Sequence, residues 1–143
     1  MEDRHQHFVG NVAQKAVIEQ DKKILVCRGN GDTVWEFPGG RLHTGEMPKD
    51  GLAREIKEEL ALDIMVGRPI HICRSFHEQS KQWQVFAGYE CTIISGELVM
   101  DKTELEEIKW ITREELKALP MFADCRELVD EFLKSDREVY LLG

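Results

Sequence analysis

The apolar positions along the chain fall into short runs that suit strands, interrupted by stretches where the spacing becomes helical. Residues 11–19 (NVAQKAVIE) and 23–28 (KILVCR) read as two strands, with Asp21-Lys22 as the turn between them. Asn30-Gly31-Asp32 is a loop, residues 34–37 form a short extended segment ending at Pro38, and residues 41–43 add a brief strand. From Pro48 to Leu60 the period changes. Leu52, Ala53, Ile56 and Leu60 recur at helical spacing and define a buried stripe. Proline suits the first position of that helix, where an amide would have had no partner. Met47 ahead of it is a poor cap.

Residues 64–76, broken at Gly67-Arg68-Pro69, and residues 83–94 read as a long hairpin joined by the polar residues 78–81. Ser95-Gly96-Glu97 is a turn, residues 100–107 an acidic loop, and residues 108–111 a short strand. Thr112-Arg113-Glu114-Glu115 is a capping box that opens a short helix to about Leu119. After Pro120 a last helix covers residues 123–134, with Leu128, Val129, Phe132 and Leu133 as its apolar face. Strands alternating with helices around a long hairpin imply an α/β fold, a mixed sheet flanked by helices. The chain is expected to be a single domain, 1–143, with loose tails at 1–8 and 135–143.

Composition narrows the function. At 143 residues, 42% hydrophobic and 32% charged, the chain can bury a real core and has the make-up of a soluble globular domain. A net charge of −8 with no basic stripe argues against a nucleic-acid polymer as ligand. There is no apolar run of roughly 18 residues to span a membrane. The first residues are polar with no apolar signal core, so a cytoplasmic location is expected. Cys27, Cys73, Cys91 and Cys125 are widely spaced without a C-x-x-C pair, and His43, His71 and His77 have no partner at ligand spacing. Reduced thiols and no zinc site are therefore expected.

Chemistry concentrates in the stretch from Gly40 to Leu62, GRLHTGEMPKDGLAREIKEELAL. Glu55, Glu58 and Glu59 sit at i, i+3 and i+4, which places their carboxylates within an arc of roughly 100°. Like charges so placed destabilise a helix by a few tenths of a kcal/mol per pair, and a bound cation would relieve them. A merely solvated acidic face is the alternative. Against it, the acidic arc adjoins the apolar stripe, and Trp35-Glu36-Phe37-Pro38-Gly39-Gly40 makes an unusually specific approach to the helix. Hard cations such as Mg²⁺ take oxygen ligands, so the three glutamates and a backbone carbonyl at Gly39-Gly40 form a candidate metal site.

The same stretch resembles the Nudix box, G-x5-E-x7-R-E-U-x-E-E-x-G-U with U aliphatic. Gly40, Glu46, Arg54, Glu55, Ile56, Glu58, Glu59 and Leu62 meet the pattern, and Ala61 replaces its second glycine. The resemblance implies an α/β/α sandwich and metal-dependent hydrolysis of a nucleoside diphosphate linked to a further group, by direct attack of water. It implies Mg²⁺, with Mn²⁺ as a substitute, and a small nucleotide substrate for a monomer or homodimer. Glu58 and Glu59 resemble the principal metal ligands, and Glu55 a ligand or the general base. Arg54 resembles the arginine that orients a catalytic glutamate, or else simply pairs with Glu58 one turn on. Glu46 resembles a box carboxylate with structural and metal roles, and Gly39 would add a carbonyl. Glu104 is the best match to a further metal-reaching acid, with Glu106 and Glu107 as competitors.

For the substrate, the W-x-F-P-G-G approach and Leu119-Pro120-Met121-Phe122-Ala123-Asp124 resemble the MutT-like group. This implies a (deoxy)nucleoside triphosphate, oxidised forms included, cleaved to monophosphate and pyrophosphate. Asp124 would then meet the base edge, unless it only caps the last helix. Phe37 and Trp35 could stack on the base or pack the core, and Arg28 could contact phosphate. Hydrolysis of ADP-ribose or a nucleotide sugar is the nearest rival, and a nucleotide-sensing module without turnover the rival of another class.

Overall fold

The first hairpin joins β1 (Asn11–Gln20) to β2 (Lys23–Gly29). Asp21 and Lys22 take φ of 52° and 64°, a left-handed pair that lets a two-residue turn follow the twist of its strands. The two strands pair only at Glu19↔Ile24 and Gln20↔Lys23. Further from the turn, β3 (Gly39–Arg41) lies beside β1, antiparallel to Ala13, Gln14 and Lys15. Along its other edge β1 runs parallel to β5 (Gln82–Ser95), which pairs antiparallel with β4 (Asp63–His77). β2 pairs antiparallel with β6 (Leu105–Thr112). The mixed sheet thus has the order β4-β5-β1-β2-β6, with β3 on β1 off that path. This computed structural model describes residues 5–142, with side chains through residue 134.

Side-chain alternation along the central strands builds two cores. Ala16 and Ile18 of β1 and Leu25 and Cys27 of β2 meet Leu52, Ile56 and Leu60 of α1 (Pro48–Leu60). Ala13, Val17, Ile24 and Val26 face the other way. They pack under Leu116 of α2 (Arg113–Ala118) and Leu128, Val129 and Phe132 of α3 (Ala123–Leu142). Helix, sheet and helix therefore form the expected sandwich. Thr112 and Glu115 form the expected capping box at the start of α2. Among the described residues, no helix is long and apolar enough to cross a membrane.

Four boundaries differ from the sequence expectation. β3 is Gly39–Arg41 and not 41–43, because Gly39 adopts φ 150° and lies where a Cβ would run into the Gln14 carbonyl oxygen. β6 begins at Leu105, inside the expected acidic loop, because Leu105 is buried against the α1 core and pairs with Gly29. The expected break at Gly67-Arg68-Pro69 becomes a set of register shifts within one continuous β4. An edge strand tolerates proline and bulges in this way. The last helix continues to Leu142, with no glycine or proline between Ser135 and Leu142 to stop it. Of the loose tails expected at 1–8 and 135–143, residues 1–4 and 143 lie outside the described residues, and 135–142 continue the last helix.

Helix α1 ends on Ala61 at φ 59° and ψ 25°, its N–H bonded to the Lys57 carbonyl at 3.0 Å. A left-handed residue with a Cβ is strained there, and glycine is not. Ala61→Gly is expected to raise stability by about 1 kcal/mol, read as a higher urea midpoint at unchanged slope. No gain would mean that the strain is relieved elsewhere.

Candidate active site

The acidic face of α1 is organised by one guanidinium. Arg54 donates from Nε and Nη2 to the two carboxylate oxygens of Glu46, at 2.9 and 2.8 Å. Its Nη1 reaches Glu55 and Glu58, each at 3.1 Å, and Nη2 also meets the Arg41 carbonyl at 3.2 Å. Of the alternatives left open for Arg54, the pairing with Glu58 one turn on is present, and the same guanidinium nitrogen also bonds Glu55. Glu46 further accepts the His43 amide at 2.8 Å. The Arg54 hydrogen bonds, then that amide, hold the Glu46 carboxyl down at about 2. Arg54 in turn is held above the ordinary arginine value, chiefly by Glu46.

Glycines bring the backbone onto these acids. A side chain on Gly40 would collide with the Glu55 carboxylate, and one on Gly51 with Leu42 and the Glu46 carboxylate. Gly39 donates its amide to Glu59 at 3.2 Å. Glu59 is only 7% exposed. Burial pushes its carboxyl up to about 7, against the opposing pull of Lys15 and the Gly39 amide. Lys15 forms a 2.6 Å ion pair with Glu36. Burial disfavours the Lys15 charge, but Glu36 above all, with Glu59 among the smaller contributions, holds its pKa above the ordinary lysine value.

The loop after β5 supplies the remaining acids. The Glu59 carbonyl accepts the Asp101 amide at 2.9 Å, and the Glu104 carbonyl accepts the Asn30 amide at 3.2 Å. Glu104 is thereby carried toward the box. Partial burial, followed by the charges of Asp101, Glu55 and Glu58, raises its carboxyl above the usual range. Its competitors point elsewhere, for Glu106 and Glu107 both pair with Arg28.

The sequence expectation offers Arg28 as a phosphate contact. Arg28 is occupied by those two acids and the Asp32 carbonyl, and its guanidinium lies 5.6 Å from the Trp35 ring centre. Phe37 is a correction to the sequence expectation. It has no exposed surface and packs in the core beside Trp35, so it offers no face to a base. Asp124 does reach a cleft of about 480 Å³, lined also by Lys15, Glu36, Gly40, Arg41, Gln84 and Phe122. It bonds the Cys125 amide at 2.7 Å as well.

Sequence reading missed Lys15, Glu36, Arg41 and Gln84 as cleft residues. The available signal was Gln14-Lys15, two polar residues inside an apolar strand. Their meaning depended on β3 crossing beside them.

Hard carboxylate oxygens from Glu46, Glu55, Glu58, Glu59 and Glu104 suit Mg²⁺-type ions. The like charges that push Glu104 upward are the same ones a cation would relieve. A NUDIX domain model matches residues 11–132. The chain belongs to the Nudix family. Among similar proteins, a putative 8-oxo-dGTP diphosphatase of Bacillus subtilis is 25% identical, over 86% of this chain and 79% of that one. The CTP pyrophosphohydrolase of Escherichia coli is 24% identical, over 82% and 87%. The crystal structure of a MutT NUDIX hydrolase from Burkholderia pseudomallei has the same fold, with a TM-score of 0.75 and 22% identity over 85% of this chain and 96% of that one. This protein is a Nudix hydrolase, of a family that uses divalent cations and small nucleotides.

The Glu59 environment has a pH signature in metal-free protein. Its folded pKa, about 7, lies above the ordinary 4.5, so the native state holds the proton longer than the unfolded chain. Stability is therefore lost as pH rises from 4.5 to about 7, by at most roughly 3 kcal/mol. Glu59→Gln is expected to match the parent below pH 4.5 and to become more stable than it through this window. Urea unfolding with chelator present checks this, and a difference that does not vary with pH would refute it.

Proposed function

We propose that this Nudix hydrolase cleaves a (deoxy)nucleoside triphosphate, oxidised forms included, to monophosphate and pyrophosphate, with Mg²⁺ as its ion and Mn²⁺ as a substitute. The observation that carries the reading is the continuity between acids and cleft. Gly40 lies against Glu55 and also lines the cavity that ends at Asp124. A nucleotide whose base lies by Asp124 can extend its phosphates toward the box. Relatives named for 8-oxo-dGTP and CTP support a triphosphate.

The residues divide the work. Glu46, Glu55, Glu58, Glu59 and Glu104, with the backbone at Gly39, would hold the divalent ions. When bound, such ions neutralise charge at phosphorus and favour attack by water. Arg54 keeps Glu55 and Glu58 in position through its grip on Glu46. Asp124 accepts hydrogen bonds from amino groups on the base. Positioning and charge neutralisation are most of what phosphoryl transfer needs. No serine or cysteine nucleophile enters the scheme.

Two measurements test the proposal. Across a nucleotide panel, pyrophosphate is expected with Mg²⁺ and none with chelator. Two monophosphates from ADP-ribose or nucleotide sugars would move the substrate to that class, and binding without turnover would make the protein a sensor. Separately, Glu58→Gln is expected to lower kcat by at least about 100-fold, taking the upper end of what losing a ligand's supporting partner costs. Glu58 is exposed, its side chain at 59%, so the variant should keep the parent's circular dichroism. Near-normal turnover would remove Glu58 from the site.

A further inference from the structure

A second cluster of metal-ligating side chains lies away from the box. His71 and Cys73 are two residues apart on β4 and so share a side of the strand. They pair with Gly88 and Phe86 of β5, and Phe86 and Cys73 belong to the core under α3. Glu127, one turn after Asp124 on α3, closes the group from above. One ligand atom from each of the three residues lies within 4.8 Å of the others. The His71 Nε2 is buried with no hydrogen-bond partner, and the Glu127 carboxylate oxygen stands 3.8 Å from it. A buried ring nitrogen left unpaired is costly and calls for an explanation.

We propose that His71 Nε2, Cys73 Sγ and the Glu127 carboxylate form a zinc-binding site distinct from the diphosphate-cleaving site. The donor set decides the metal. Imidazole nitrogen, thiolate sulfur and one carboxylate oxygen are ligands that zinc takes in tetrahedral sites, and Mg²⁺ has no use for sulfur. Zinc with its ordinary bond lengths holds ligand atoms about 3.3–3.8 Å apart. The three atoms lie within 4.8 Å of one another at present, so binding requires them to draw closer. Binding gives His71 Nε2 the partner it lacks, and the Cys73 proton leaves to solvent as the thiolate is ligated. Three protein ligands leave the fourth position to water. The ion ties α3 to β4, on the sheet face opposite α1 and its glutamates. Sequence spacing pointed away from zinc because two ligands come from one strand and the third from a helix more than fifty residues later.

Cobalt(II) titration of the reduced full-length protein, without Mg²⁺, is the test. A thiolate-to-cobalt charge-transfer absorption is expected, saturating near one ion per chain and displaced by Zn²⁺. Cys73→Ser should abolish it, and His71→Ala should weaken Zn²⁺ binding by about 100-fold or more, no less than a lost supporting partner costs. Glu127 is largely exposed, its side chain at 60%, so Glu127→Gln should stay folded and still weaken zinc about 10-fold or more. Glu58→Gln should leave the absorption intact, which separates this site from the box. No charge-transfer absorption, one that survives Cys73→Ser, or one lost in Glu58→Gln would overturn the proposal.

Discussion

One guanidinium among several carboxylates is the constraint on which the acidic face depends. Arg54 meets Glu46, Glu55 and Glu58 at hydrogen-bond distance while only 24% exposed itself. Half-buried and forked, it offers each acid a fixed donor, which a lysine could not do for several partners at once. Its value lies in geometry more than in stability, since exposed pairs such as Arg54–Glu58 add little on their own. Without it, acids at helical spacing would swing apart under their own repulsion.

The sheet makes room for this arrangement by changing partners along β1. Near its turn β1 holds β2, and farther back it holds β3. That switch places Gly39 and Gly40 between the sheet and α1, where Glu59 and Glu55 close on them. It also sets Lys15 and Glu36 on the cleft side, giving the buried Glu59 a cation nearby without a direct bond. The site thus has two electrostatic levels. An outer level is shared through Arg54, and an inner one is balanced by Lys15 and the Gly39 amide.

The two faces of the sheet offer metals different chemistry. The α1 face presents oxygen ligands only, in the manner of hard-ion sites. The α3 face gathers nitrogen, sulfur and a single carboxylate around His71. Asp124 and Glu127 lie one turn apart on α3, so an ion tying that helix to β4 would stiffen the wall that the proposed nucleotide base meets.

Much of this was legible in the residues alone. The helix from Pro48 to Leu60, the Asp21-Lys22 turn and the capping box at Thr112 are set by neighbours within one or two turns, so local chemistry suffices. The carboxylates at 55, 58 and 59 share a flank for the same reason. Tertiary structure decided what depends on distant partners. Phe37 went to the core and Arg28 to Glu106 and Glu107, because a strand does not reveal which face a neighbouring sheet will cover. Glu104 was separated from its acidic neighbours only when β6 began early at Leu105. His71, Cys73 and Glu127 met only when α3 folded back over β4. Spacing along a chain fixes which side chains share one element's face; packing between elements fixes which faces meet.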